Sequence, residues 1–256
     1  MRDFVDRRSI VRKIWGHSDL ILLVFAGSAA EFALNRAVDW LFFTNKLPSD
    51  PVGRLFSTVR HAQQIVFVDE ATAERTFARI IAAHKGVERA RGGDSIPDWA
   101  HRDVLYMLID YSERAYALLH RPLTNAERVE LYAVFKRVGE GLQIPELPST
   151  YADWQVDRER HMERDLAFSP HTARLFKQYR RHLGAWRYDL LLQVQSLLVP
   201  PQVRQLLRLK PLPLLPLAVR TYRLCDQLQL RSVVQLALIP PNYLKDVRAF
   251  DRNGEA

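Results

Sequence analysis

Apolar residues recur at helical spacing along most of the chain, and start signals precede several of these periodic stretches. Thr124–Glu127 forms a capping box, in which a hydroxyl and a carboxylate satisfy backbone amides at the start of a helix. Asp50-Pro51 and Ser169-Pro170 each place proline at the first helical position after an N-cap residue. The pattern predicts helices near residues 5–16, 19–43, 51–67, 70–88, 98–119, 125–141, 150–167, 170–198, 201–208 and 214–228, with a last helix near 241–250.

Short apolar runs that resemble strands continue this helical period. Ile65–Val68 is the clearest example, so we predict no sheet and an all-α fold class. A chain of 256 residues lies at the upper end of what one hydrophobic core supports. We therefore expect a single globular domain over residues 1–256, with its core in 19–228 and a C-terminal extension in 229–256.

The composition is that of a globular protein, with 48% hydrophobic and 26% charged residues. The single cysteine, Cys225, excludes an internal disulfide and a cysteine-rich zinc site, and it fits a reducing compartment. The uncharged run Leu20–Ala30 is much shorter than the ~20 residues that a membrane span needs. A core helix is favoured there over a cleaved signal peptide, and we expect a cytoplasmic protein.

The net charge of +8 favours acidic partners or membrane surfaces. The arginines are spread over most of the predicted helices, with a local cluster around Arg180–His182, and no nucleic-acid recognition motif accompanies them. We expect a solvated basic surface and no nucleic-acid partner. The alternative is a peripheral contact with acidic lipid headgroups, in which the apolar segment Pro211–Leu217 would take part; a buried connector is the simpler interpretation of that segment.

Among the eight histidines, His84 lies in an unusual position. The sequence contains no H-E-x-x-H, Walker loop, G-x-G-x-x-G or G-x-S-x-G, so the usual evidence for a metalloprotease, kinase, dehydrogenase or hydrolase is missing. His84 falls in the apolar stripe of its predicted helix, in line with Phe77 and Val87. An imidazole there is either a core histidine that hydrogen-bonds a backbone carbonyl or an axial ligand of haem iron.

A polar stripe runs along the preceding predicted helix. Arg54, Ser57, Thr58 and His61 follow one another at i, i+3, i+4 and i+7, which is ordinarily a solvated face. If the two helices form an antiparallel hairpin, Arg54 and Thr58 would instead face a cavity bordered by His84. The arginine could then pair with a carboxylate, and the threonine hydroxyl could donate to bound oxygen.

One acidic residue lies inside the most apolar predicted helix. Glu31 would be buried there, so it must either be paired or hold its proton. Arg36 and Arg54 are the candidate partners that the sequence offers.

Several segments resemble the rubber oxygenase (latex clearing protein) and mycophenolate-pathway oxygenase family, in the right order over about residues 19–225. The central signature of that family runs D-P-x-x-R-x-x-x-T, then an A-x-A-rich helix, then H-x-x-V, and it is similar to Asp50–Thr58, Ala71–Glu74 and Ile80–Val87. Its D-S-x-x-x-A-Y and R-P-L-S-x-A-E segments are similar to Asp110–Tyr116 and Arg121–Glu127. Looser matches are Ile144–Thr150 and Val199–Arg204.

The resemblance implies about ten helices around a haem-sized apolar pocket, with b-type haem acting with dioxygen on a small apolar or aromatic substrate. It implies that His84 is the axial iron ligand and that Arg54 and Thr58 are the distal arginine and threonine that contact cofactor and oxygen. Ser57 stands where rubber-cleaving members have a lysine that can cap the iron, and serine is too short to do so. A distal lysine ligand is therefore not expected.

The chain also departs from the family pattern. Asn35-Arg36 stands where many members have His-Pro, and Asp103–Leu105 stands where they have an aromatic-x-His pair. Glu88-Arg89 follows the H-x-x-V motif where a glycine is usual. These differences leave a second hypothesis from another class, namely a non-catalytic helical binding or scaffold protein of the same fold that holds no haem.

Overall fold

Helices account for most of the described chain. The computed structural model describes residues 2–43, 51–213, 217, 219–223, 245 and 247–251. Within them there is no strand, and the only β-type pairing is two isolated bridges, so the all-α prediction is confirmed. The helices are α1 (Ile10–Trp15), α2 (Ser18–Phe32), α3 (Val38–Phe43), α4 (Pro51–Val66), α5 (Glu70–Ala90), α6 (Asp98–Leu119), α7 (Asn125–Gly141), α8 (Tyr151–Asp165), α9 (Pro170–Leu183), α10 (Ala185–Leu198) and α11 (Pro201–Leu206).

Polar cap residues begin four of these helices, each at the start of a helix that the sequence predicts. The side chains of Asp69, Thr124, Thr150 and Ser169 each accept a hydrogen bond from a backbone amide in the first turn of α5, α7, α8 and α9. These bonds satisfy amides that no earlier carbonyl can reach. The helix starts marked in the sequence are therefore confirmed at these four points.

Three predicted helices are shorter than expected or divided. The helix predicted over 5–16 begins only at Ile10, where the Ser9 hydroxyl caps the first turn. The helix predicted over 19–43 is interrupted between α2 and α3, where Asn35 forms a bridge with Leu166. The helix predicted over 170–198 breaks at Gly184, whose φ of 75° is unfavourable for residues with a Cβ atom.

Much of the C-terminal region falls outside the described residues. The helices predicted near 214–228 and 241–250 are described only in part, and the expected boundary between residues 228 and 229 lies outside. The described end of the chain nevertheless packs on the core, because Val247 and Phe250 belong to it. Asp251 accepts a hydrogen bond from the backbone amide of Ser18 at 2.9 Å and so caps α2 from a distant part of the sequence.

The central helix is α2, which packs along α6 and also contacts α1 and α10. Its buried apolar residues lie on several sides, as in a helix that is enclosed by others. The run Leu20–Phe25 is therefore part of a core helix, as predicted. None of the helices within the described residues is both long and apolar enough to cross a membrane.

A buried ionic network joins α2, α6 and α8. The carboxylate of Glu31 receives both Nη groups of Arg158, each at 2.5 Å, and the hydroxyl of Tyr111 at 2.9 Å. Arg158 also donates to Asp110 at 3.2 Å, and Asp110 receives Nε of Arg114 at 2.6 Å. Two carboxylates therefore face two guanidinium groups, and the charges of this network balance.

The partner of Glu31 differs from the sequence-based expectation. Arg36 is exposed, because the turn that follows α2 directs it outward while its amide donates to the carbonyl of Asp165 at 3.0 Å. The side chain of Arg54, the other candidate, lies outside the described residues. The sequence left open whether Glu31 is paired or holds its proton, and the structure shows a pair whose partner is Arg158 and not Arg36.

The network also fixes the ionisation of its members. Burial and the neighbouring Glu31 carboxylate raise the pKa of Tyr111 well above its usual range, so this hydroxyl stays a donor. Burial alone would lower the pKa of Arg158, but Glu31 and Asp110 more than offset that effect, and the pKa is raised. Both groups keep the protonation state that their hydrogen bonds need.

Close packing between α2 and α6 holds the Tyr111 ring of this network in place. A Cβ atom at Gly27 would lie 2.2 Å from Cδ1 of Tyr111, whose ring cannot retreat without loosening its bond to Glu31. We predict that Gly27→Ala lowers the free energy of unfolding by about 1–3 kcal/mol through overpacking. The matched control is Gly86→Ala on α5, where nothing lies within 4 Å. It should gain about 0.5–1 kcal/mol, and equal effects in urea denaturation would contradict the packing argument.

The ionic network itself is tested by Glu31→Gln, which keeps the shape and removes the charge. We predict that the free energy of unfolding falls by about 3–5 kcal/mol, because Arg158 would stay buried with Asp110 as its remaining negative partner. Lys136→Gln is the control, since its partner Glu140 is more than half exposed. That variant should change stability by less than about 1 kcal/mol. Similar losses in both variants would show that burial does not set the strength of the Glu31 pair.

Candidate functional site

His84 lies on a partly uncovered apolar face of α5. The fully buried residues of this helix, Ala73, Thr76 and Phe77, all lie in its first half. In the second half, Ile80, Ile81 and Val87 are half-buried, and so is His84. The expected apolar stripe is therefore present, but the protein covers it only in part around the histidine.

A second imidazole packs against His84. The ring centroids of His84 and His101 are 4.9 Å apart, and the ring planes differ by 34°. Burial lowers the pKa of His101, partly opposed by the nearby carboxylates of Asp98 and Glu88. His101 is therefore neutral at pH 7, and the environment of His84 carries no positive charge from this ring. Sequence spacing did not reveal the pair, because its members come from α5 and α6.

Helices α4 and α5 form an antiparallel hairpin, an arrangement that the sequence left open. A short turn at 67–69 connects them, and Nη2 of Arg79 donates to Oε1 of Gln64 at 3.3 Å. His84 lies five residues beyond Arg79, which in an antiparallel pair corresponds to about residue 59 on α4. The exposed Thr58 therefore lies at the level of His84 along the hairpin.

The other predicted site residue on α4 is placed only by its backbone. Arg54 lies in the first turns of α4, and its side chain, with those of the rest of 51–57, is outside the described residues. The haem-sized pocket implied by the resemblance would border this segment. This pocket stays a prediction, and so does the contact of Arg54 with a cofactor.

A second cluster of polar side chains lies between α6 and α8. Nδ1 of His161 hydrogen-bonds Oδ1 of Asp103, and it lies 3.6 Å from Oδ2 of Asp165. The other oxygen of Asp103 accepts a hydrogen bond from Nδ2 of Asn35 at 2.6 Å. All four residues are buried. The ligand atoms of Asp103, His161 and Asp165 all lie within 4.8 Å of one another, a spacing that could hold a metal ion.

Sequence reasoning missed this cluster, although two signals pointed to it. His161 and Asp165 are i and i+4 on one helix, so they share a face. Asn35 and Asp103 belong to two of the three segments in which the chain departs from the oxygenase pattern, and they are in contact. What could not be predicted was that His161 and Asp103, 58 residues apart, meet in the core.

Comparison with known proteins identifies the family. The family model described as "ER-bound oxygenase mpaB/B'/Rubber oxygenase, catalytic domain" matches residues 15–228. A search of the curated proteins and a search of the solved structures each gave no significant match. The family match spans every helix from α2 to α11 and extends well beyond half of the chain. The chain therefore belongs to the family of mpaB/B' and rubber oxygenase catalytic domains.

Proposed function

We propose that this chain is a haem b-dependent oxygenase or related oxidoreductase in which His84 is the axial iron ligand and the substrates are dioxygen and a small apolar or aromatic molecule. The family supports oxygenase activity in general. The observation that carries the finer proposal is the half-buried imidazole of His84 on the apolar, partly uncovered half of α5.

The residues around His84 fit a b-type haem. The macrocycle needs a nitrogen ligand and apolar side chains against its faces. Ile80, Ile81 and Val87 offer apolar surface that the protein leaves partly uncovered. Bound haem would supply the activation of dioxygen, while the protein supplies binding, orientation and electrostatics.

Each residue of the proposed site would have a separate task. His84 would hold the iron through a ring nitrogen, and His101 would restrict the rotation of that ring by packing against it. Thr58, at the same level of the hairpin, could donate its hydroxyl hydrogen to an oxygen atom. Arg54, always charged, could pair with a carboxylate of the cofactor. An apolar substrate would be held mainly by the shape of the pocket.

Haemin titration of the purified full chain tests the proposal. We predict a sharp Soret band that saturates at one haem per chain and shifts on reduction. His84→Ala should lose the band or weaken haemin binding at least 10-fold, and added imidazole should partly restore it. His182→Ala is the control, because this ring bonds the Gln178 carbonyl on α9 and belongs to no part of the proposed site.

Two outcomes would contradict the haem proposal. A wild-type spectrum that haemin does not change would favour the second hypothesis, a helical scaffold or binding protein without haem. A Soret band that is equally strong in His84→Ala and His182→Ala would assign the iron to another ligand.

The lowered pKa of His101 predicts a dependence of stability on pH. The unfolded chain takes up a proton on this ring near pH 6.5, whereas the folded protein resists protonation to lower pH. Stability should therefore fall as the pH decreases through about 6.5 toward the lower pKa of His101 in the folded protein. His101→Gln should show a smaller fall in urea denaturation. An equal fall in both proteins would contradict the assignment of a depressed pKa to His101.

A further inference from the structure

The cluster around His161 contains more negative charge than its neighbours compensate. Besides Asp103 and Asp165, the carboxylate of Asp157 lies 3.6 Å from the other ring nitrogen, Nε2. The positive side chain in this cluster is Arg164, whose Nη2 donates to Oδ2 of Asp165 at 2.5 Å. About half of the Arg164 side chain is exposed.

The neighbouring Glu31 network shows the contrast. There, two carboxylates face two arginine side chains, so the negative and positive charges balance. In the His161 cluster, three carboxylates face one guanidinium and one imidazole. The side chain of Asp157 is 29% exposed, so water compensates part of its charge. With a neutral imidazole, however, the two buried carboxylates face only one guanidinium, and that group is half exposed. Buried charges in proteins are paired or bind metal ions, because an isolated one is too costly to desolvate.

We propose that Asp103, His161 and Asp165 form a binding site for a first-row divalent cation such as Zn²⁺ or Mn²⁺. With a neutral imidazole, the cluster has two negative charges in excess, and one divalent cation neutralises them. One imidazole nitrogen and two carboxylate oxygens suit such ions, whereas Mg²⁺ and Ca²⁺ prefer oxygen ligands throughout.

Two side chains would have to move for the three ligand atoms to hold an ion. Ligand atoms about 2.1 Å from a metal ion lie roughly 3.0–3.4 Å from one another in octahedral or tetrahedral arrangements. Oδ2 of Asp165 is already 3.6 Å from Nδ1 of His161. Asp103 would exchange its hydrogen bond to the ring for a bond to the ion. Nη2 of Arg164, which lies 2.5 Å from Oδ2 of Asp165 and 3.4 Å from Nδ1 of His161, would turn outward to the solvent that already reaches half of its side chain.

The surroundings also match those of a metal-binding histidine. When one ring nitrogen binds an ion, the other commonly donates to a carboxylate, which fixes the tautomer. Asp157 lies beside Nε2 of His161, and the hydroxyl of Tyr106 holds Asp157 in place at 2.6 Å. The amide of Asn35 does the same for Asp103. The ligands are therefore oriented before any ion binds.

This site is separate from the proposed haem site. His101 and Asp103 are two residues apart on α6, so they point about 200° apart around the helix axis. One contacts His84 on α5 and the other contacts His161 on α8. The cation would link α6 to α8 whether or not haem binds on the other side of α6.

The test uses the full chain after treatment with a chelator and dialysis against Zn²⁺. We expect one bound ion per chain by elemental analysis and an increase in Tm. Asp103→Asn and Asp165→Asn should each weaken binding at least 10-fold. Asp157→Asn should weaken it less, through the ring orientation. The matched control is Glu159→Gln, which removes one charge from the exposed side of α8 and should bind like the wild type.

Further measurements separate this site from the haem site and from effects on folding. His84→Ala should keep the stoichiometric ion, so loss of haem and loss of the ion are independent results. Co²⁺ added to the wild type should give visible d–d bands, a result that needs no variant to fold. The proposal is overturned if the wild type binds no stoichiometric Zn²⁺ or Co²⁺, or if folded Asp103→Asn and Asp165→Asn bind as tightly as Glu159→Gln.

Discussion

The bidentate pair between Glu31 and Arg158 determines how the helices around the site are arranged. Both side chains are buried, so Glu31 depends on Arg158 for compensation of its charge, and Arg158 depends on Glu31 and Asp110. The pair fixes α8 against the central helix α2, and the hydroxyl of Tyr111 adds α6 to the same point. Gly27 makes room for the Tyr111 ring, which brings α2 and α6 close together. The positions of all residues that α6 and α8 carry follow from this arrangement.

Helix α6 separates two environments of opposite character. On one side, His101 meets His84 beside apolar residues that the protein covers only in part. On the other side, Asp103 meets His161 in a charged layer whose central residues are buried. The first environment suits a flat apolar cofactor and the second suits a small cation. The two proposed sites therefore lie on opposite sides of α6.

Local signals predicted much of the fold, whereas the contacts between distant residues could not be predicted. Cap residues such as Thr124 and Ser169 act within one helical turn, so the sequence alone located the starts of their helices. The break after α2 has no glycine or proline to mark it and arises from the pairing of Asn35 with Leu166. Glu31 was recognisable as an unusual buried acid, but its partner lies 127 residues away.

The same division applies to the candidate site. Periodicity singled out His84, and the antiparallel hairpin that relates it to Thr58 follows from two adjacent helices and a short turn. His101 and the His161 cluster depend on which faces of α5, α6 and α8 meet, which no spacing within one helix reveals. Residues that departed from the family pattern, Asn35 and Asp103, proved to be neighbours in space.

The most direct measurement is an anomalous diffraction map at the iron edge from crystals of the full chain grown with haemin. We predict an iron peak within bonding distance of a ring nitrogen of His84, surrounded by the planar density of the macrocycle. Two results would contradict His84 as the iron ligand. One is an iron peak at another side chain with no peak at His84, and the other is well-ordered crystals from a haemin-containing solution that show no iron peak.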